Sequence, residues 1–308
     1  MITFDTLRLQ EALQQAAATL SHSRPPAAPW PGQLPSSPTA VAAATAALFL
    51  ADTEWKSAED TLRRLGHQGL EWLAHHVNGD GGWGDTPRSF SNLGATALAW
   101  AAFGLAPPQD HLFADTVQAA ERWICQKAGN TAPAILVPMI RNHFRGDLAL
   151  AAGVLMTCAL AGRLGSDIRA WRHVPALPFE RGAVPPEWWS TAHLPGASWA
   201  MSLLLAAGQA RHHNLADGCF ATRLARECFR ASTLRRLEAL QAEDGSFQAS
   251  PWLTALTTIG LLAAGYGRHP VTEKGIRYLV AQARPDGLRR KPCKSPPPPR
   301  WGPIGCPP

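Results

Sequence analysis

The chain is poor in the features that announce most chemistries. It has two tyrosines in 308 residues, no CxxC pair among its six cysteines, and no HExxH helix. A Gly-rich phosphate loop and an ordered Ser-His-Asp array are also missing, which removes the usual motif-based routes to zinc proteases, nucleotide enzymes and serine hydrolases. The cysteines at 125, 158, 219, 228, 293 and 306 show no framework spacing, so they read as free thiols in a reducing compartment. Long apolar runs are missing too. The best two, 39–51 and 148–162, are shorter than the ~20 residues of a membrane span and read as buried helices. The opening "MITFDTLRLQEAL" carries an acid and an arginine where a secretory leader is apolar, and the expected location is the cytoplasm.

Acids are absent from residues 289–308, which hold Arg289, Arg290, Lys291, Lys294 and Arg300. Those five cations account for nearly all of the net charge of +6, so the rest of the chain is close to neutral. The basic character therefore belongs to a tail and does not mark a nucleic-acid-binding surface; no nucleic acid partner is expected.

What the chain does have is helical periodicity. Helices are expected near 5–20, 38–52, 60–77, 93–104, 110–127, 147–164, 197–212, 221–242, 252–265 and 272–283, with Gly or Pro between them. Residues 22–37, "HSRPPAAPWPGQLPSS", read as an extended connector after a first helix. The Pro-broken stretch 172–196 reads as a surface segment with its aromatics turned inward. The organisation expected is a helix and connector at 1–37, a repeat domain at 38–287 and a basic, Pro-rich tail at 288–308.

The repeat is carried by "NGDGGWGDTP" (Asn78–Pro87) and "QAEDGSFQASP" (Gln241–Pro251). Each follows a helix, places an acid before a glycine that suits a left-handed helix cap, and sets an aromatic two residues later, Trp83 or Phe247. A third copy starts at Lys274 and reaches Gly287 with Arg289 in the aromatic place. An aromatic in such a turn can fold back on both helix ends and clamp them, contributing about 2 kcal/mol by apolar burial.

These units resemble the QW repeats of the triterpene cyclases, the squalene–hopene and oxidosqualene cyclase superfamily. The second unit matches through Gln241, Gly245 and Phe247. The first matches through Gly69, Trp72, Leu73, Gly81 and Trp83, with Val77 at the Gln place. The third matches through Lys274, Gly275, Tyr278, Leu279 and Gly287, with Ala283 at the Gln place. A "VPPE" segment at 184–187, Pro251–Trp252 and His269–Gly275 follow in family order, so the resemblance spans roughly 38–287 and concerns the N-terminal half of such enzymes. It implies an all-α fold, an α/α toroid (barrel) of helical hairpin repeats, incomplete at its C-terminus.

The resemblance also implies an isoprenoid or triterpene precursor as ligand, no cofactor and no metal, and a Pro–Trp element near the substrate cavity, here Pro251 and Trp252. The family's acid is a DxDD cluster, and no DxDD occurs in this sequence. Catalysis alone is therefore not expected, and a DxDD-bearing second half becomes the natural partner. Asp80 and Asp85 read as turn and cap residues and not as a catalytic pair. Two alternatives stay open: a non-catalytic toroid that binds an isoprenoid or a partner protein, and another toroid enzyme of the protein-prenyltransferase or polysaccharide-lyase kind. His212, His213, Asp217 and Cys219 lie close in sequence but fit no standard zinc spacing. Asp147 reads as a helix N-cap. The abrupt change after Gly287 falls inside a repeat, and a shifted reading frame or truncated gene accounts for it better than a genuine polyproline tail, which would touch acidic lipid or a proline-reading partner.

Overall fold

The computed structural model describes residues 6–23, 36–56, 60–107, 111–165, 168–183, 200–215, 220–284 and 287–288. By contact the chain divides into Met1–Leu34 with Lys291–Pro308, and Pro35–Arg290. The first unit contains helix α1 (Thr6–Ser23).

Among its described residues the second unit is all-α apart from one antiparallel pair of two-residue strands, β1 (Ala283–Arg284) and β2 (Gly287–Leu288). Its helices are of two kinds. Five are buried along most of their length and built largely from Ala, Leu and Thr: α2 (Pro38–Trp55), α4 (Leu93–Gly104), α7 (Leu148–Leu160), α8 (Met201–Asn214) and α10 (Pro251–Ala263). Small side chains on every face let neighbouring helices approach closely, which suits a helix surrounded by others. The remainder, α3 (Thr61–His75), α5 (Ala114–Ala128), α6 (Pro133–His143), α9 (Phe220–Leu240) and α11 (Pro270–Gln282), alternate buried and exposed faces in the manner of an outer layer.

The buried helices contact one another in closed order. α2 packs on α4, α4 on α7, α7 on α8, α8 on α10, and α10 back on α2. Each outer helix lies on the inner ones beside it: α3 on α2, α5 on α4, α6 on α4 and α7, α9 on α8, and α11 on α10 and α2. β2 contacts α2 and α3, so the third repeat turn lies beside the helix at the start of the unit. Trp55 ties the same junction, donating its Nε1–H to the Gly267 carbonyl at 2.9 Å, while Arg268 donates to the Trp55 carbonyl at 3.0 Å.

The structure departs from the sequence expectation at α6, which falls between the expected helices 110–127 and 147–164. Pro133 occupies the first helical turn, where its missing N–H needs no partner, and Pro138 is exposed. Burial of Leu136, Val137 and Ile140 holds the helix together despite the bond lost at Pro138. In the Pro-broken stretch the 3-10 turn Phe179–Ala183 buries Phe179, as expected of an inward-turned aromatic, and the turn Ile168–His173, which leads into it, buries Trp171. Residues 184–199, with the "VPPE" segment, lie outside the described residues, as do most of the connector, Asp217, Cys219 and the tail after Leu288.

Candidate functional site

Two repeat turns are built alike. Gly81 and Gly245 have φ of +89° and +87°, a region that costs L side chains energy. Each also sits where a Cβ would strike a backbone carbonyl of the following outer helix, Ala119 on α5 or Lys274 on α11. The glycine N–H bonds to the carbonyl three residues earlier, Asn78 or Ala242, at 2.9 Å in both. The acid accepts from the N–H two residues on: Asp80 from Gly82 at 3.1 Å, Asp244 from Ser246 at 3.0 Å. These glycines are not helix C-caps, as the sequence suggested. α3 and α9 end several residues earlier, and Asp-Gly forms a separate Asx-type turn beyond them.

Trp83 and Phe247 are essentially fully buried. The Trp83 N–H bonds to Thr96 Oγ1 on α4 at 3.0 Å, and the Phe247 N–H bonds to Thr254 Oγ1 on α10 at 2.8 Å. Trp83 Nε1–H reaches back to the Leu73 carbonyl in the last turn of α3 at 2.9 Å, so one residue joins both helices. Gln241 Nε2 donates to the Gly245 and Val271 carbonyls, each at 2.9 Å, tying its turn to α11. In the third copy Gly287 pairs with Arg284 across the small strand pair. On α11, Gly275 is buried where a Cβ would meet Thr258 Oγ1 of α10.

A cavity of about 350 Å³ opens where α2, α4 and α10 begin. Its apolar wall comes from Ala95, Leu98, Val154, Phe144 and Trp252. Ser37, Thr39, Asp85, Thr86, Asn92 and His143 add a polar rim, with no Lys or Arg among the lining residues. The starts of α4 and α10 are capped by side chains, while Ser37 at the start of α2 makes no such cap. Asn92 Oδ1 accepts from Ala95 N–H at 2.9 Å, and Ser250 Oγ accepts from Leu253 N–H at 3.3 Å. Ser37 Oγ donates to the Asp85 carbonyl at 2.7 Å, fixing the rim loop to α2. Pro251, also singled out from sequence, is buried in the first turn of α10 and does not line the cavity, whereas Trp252 does.

Asp85 and Thr86 reach the rim because the first repeat loop is the longer one: thirteen residues separate Trp83 from its threonine partner, against seven for Phe247. That difference is readable in the sequence. His143 and Phe144 are not, because they end the helix that falls between the expected ones. Their rings meet edge-on at 4.9 Å, and both crowd Gly94 at the start of α4.

Asp80 and Asp85 do different things. Asp80 Oδ1 accepts from Ser91 Oγ at 2.6 Å as well as Gly82, and Oδ2 accepts from Trp123 Nε1–H at 2.9 Å. Burial pushes its pKa up, but the Ser91, Gly82 and Trp123 hydrogen bonds outweigh this and hold it below the ordinary carboxylate value. A carboxylate so stabilised is a poor proton donor. His212, from the sequence cluster that fits no standard zinc spacing, pairs with Glu227 at 2.9 Å, and Glu227 with Arg230 at 3.2 Å. Among the described residues no three possible ligands gather for a metal ion, and no helix is long and apolar enough to cross a membrane. No protein-family model, curated protein or solved structure matches the chain.

Proposed function

We propose that the chain is a triterpene-cyclase-like α/α toroid that binds an isoprenoid and lacks the acid to cyclise it. The observation that carries this reading is the cavity at the inner-helix starts, with Trp252 in an otherwise aliphatic and aromatic wall and Asp85 as its one lining carboxylate. The matched Trp83 and Phe247 turns and the closed order of the inner helices support the toroid, since a ring of helical hairpins needs a repeated joint and a closing contact. A volume of about 350 Å³ is near the lower end of the ~300–1,000 Å³ usual for ligand pockets, so it suits a short isoprenoid or one end of a longer chain.

Protonating an isolated alkene requires a carboxylic acid kept neutral by crowding and burial. Asp80 is driven the other way, and Asp85 is exposed. The purified chain incubated with squalene is expected to yield no cyclic product, while squalene or a shorter isoprenoid quenches tryptophan fluorescence. Trp252→Phe removes most of that quenching. Hopene or another cyclic triterpene from the isolated chain overturns the missing-acid reading, and unchanged quenching in Trp252→Phe overturns the assignment of the cavity. Co-expression with a DxDD-bearing second half is the route by which turnover would appear, and cytoplasmic location with peripheral membrane contact fits an apolar substrate.

A further inference from the structure

The cavity's chemistry also selects a head group. Its apolar wall is closed by the Trp252 indole and the Phe144 ring, and its rim carries Asp85 with no Lys or Arg. Faces of aromatic rings attract cations, and an anion at the rim adds to that field. Phosphates commonly seat on the free N–H groups of helix starts, yet at α4 and α10 Asn92 and Ser250 already take an N–H of the first turn, and at α2, which Ser37 leaves uncapped, Ser37 is bonded to the acidic residue Asp85, whose charge opposes an anion. Resting on the isoprenoid reading above, we propose that the ligand of this cavity is an amphiphile with a short apolar chain and an ammonium head, and that a diphosphate of the same chain is rejected.

The ammonium lies beside the Asp85 carboxylate and over the aromatic wall, with the chain directed between Ala95, Leu98 and Val154. Asp85 is exposed, so its attraction is screened by water and salt and is worth a modest factor in affinity. His143 is the other ionisable side chain on the rim.

Three probes with one chain and different heads separate the possibilities: geranylamine, geraniol and geranyl diphosphate, titrated into the full-length protein by calorimetry. Geranylamine is expected to bind roughly tenfold tighter than geraniol, and the diphosphate weaker than either. Asp85→Asn should weaken the amine by a modest factor and so narrow the amine–alcohol gap, the remainder being held by the aromatic wall, while leaving the alcohol unchanged, because the Ser37 bond uses the Asp85 main-chain carbonyl. Raising the salt concentration should narrow the amine–alcohol gap more in the parent than in the variant. Tightest binding by the diphosphate, or an amine–alcohol ratio untouched by Asp85→Asn, overturns the head-group assignment while leaving the isoprenoid reading in place. Binding by none of the three sinks the isoprenoid reading, and the head-group assignment with it.

Discussion

At the scale of single residues, Trp83 does the most. Its indole is fully buried, its backbone N–H holds α4 through Thr96, and its ring N–H holds the end of α3 through Leu73. Trp83→Ala removes the ring and leaves the Leu73 carbonyl without its indole donor, while the main-chain bond to Thr96 is kept, so a loss of about 3–5 kcal/mol is expected. Phe247→Ala should lose a comparable amount, since its ring is as buried. Urea unfolding of the two variants measures this; midpoints within error of the parent would remove the stapling role. Asp80 offers a second test, by pH. Its folded pKa is depressed, so its contribution to stability is present above the ordinary carboxylate range and is lost as pH falls through the folded value. The stability gap between the parent and Asp80→Asn should therefore be widest near neutrality and close below about pH 4. A gap that stays constant across that range contradicts the assignment. The acid and the aromatic were both readable as a turn signature from local spacing. Trp123, which donates to Asp80 from 43 residues away, was not, because nothing local to either residue encodes that meeting.

At the scale of elements, the departures of each repeat from the others leave physical traces. Gln241 stands four residues before Gly245 and bridges its turn to the Val271 carbonyl of α11. In the third copy the same place, four residues before Gly287, is Ala283. A crevice of about 30 Å³ lies there, lined by Ala283, Leu65 and Gln68 among others, and Leu65 stands to Gly69 on α3 as Val271 stands to Gly275 on α11. At position 283 no glutamine side chain is available to reach into this crevice. Ala283→Gln should fill it and bond across to α3, stabilising by about 1 kcal/mol after the rotamer entropy of the new side chain is deducted. Gln241→Ala should cost a similar amount. Differential scanning calorimetry reads both, and a destabilised Ala283→Gln would mean the third turn is not a copy of the second. Helix identity was largely readable at this scale from apolar spacing, with α4 matching its expected bounds. α6 fell between the expected helices, although Pro133 stands in its first turn, where proline is tolerated, and Leu136, Val137 and Ile140 supply its buried face.

At the scale of the whole unit, closure is the property that periodicity does not carry. The sequence places an unfinished repeat after α11 and so expects an apolar face left wet. In the structure α2 packs on both α10 and α11, with Trp55 and Arg268 locking the junction. One local sign pointed there: Ser37–Pro38 opens α2 as Ser250–Pro251 opens α10, and Thr45 and Thr258 follow at the same distance. Without a partner in view, that match does not say that the first inner helix returns to the last one. Closure has an energetic consequence. α2 is buried on nearly every turn, and at roughly 25 cal/mol per Å² of apolar surface its removal exposes α3, α4, α10 and α11 together. A chain lacking residues 1–55 is therefore expected to lose the sharp unfolding transition of the parent, bind a hydrophobic dye and lose near-ultraviolet dichroism while keeping helical far-ultraviolet signal. An open array of hairpins predicts something else: loss of an end helix leaves the far neighbours intact, because each unit leans only on the next. Hydrogen exchange resolves the two cases, since closure requires amides as distant as α7 and α8 to lose protection when α2 is gone. Unchanged protection in α7 would mean that the contacts between α10 and α2 add little to the stability of the unit.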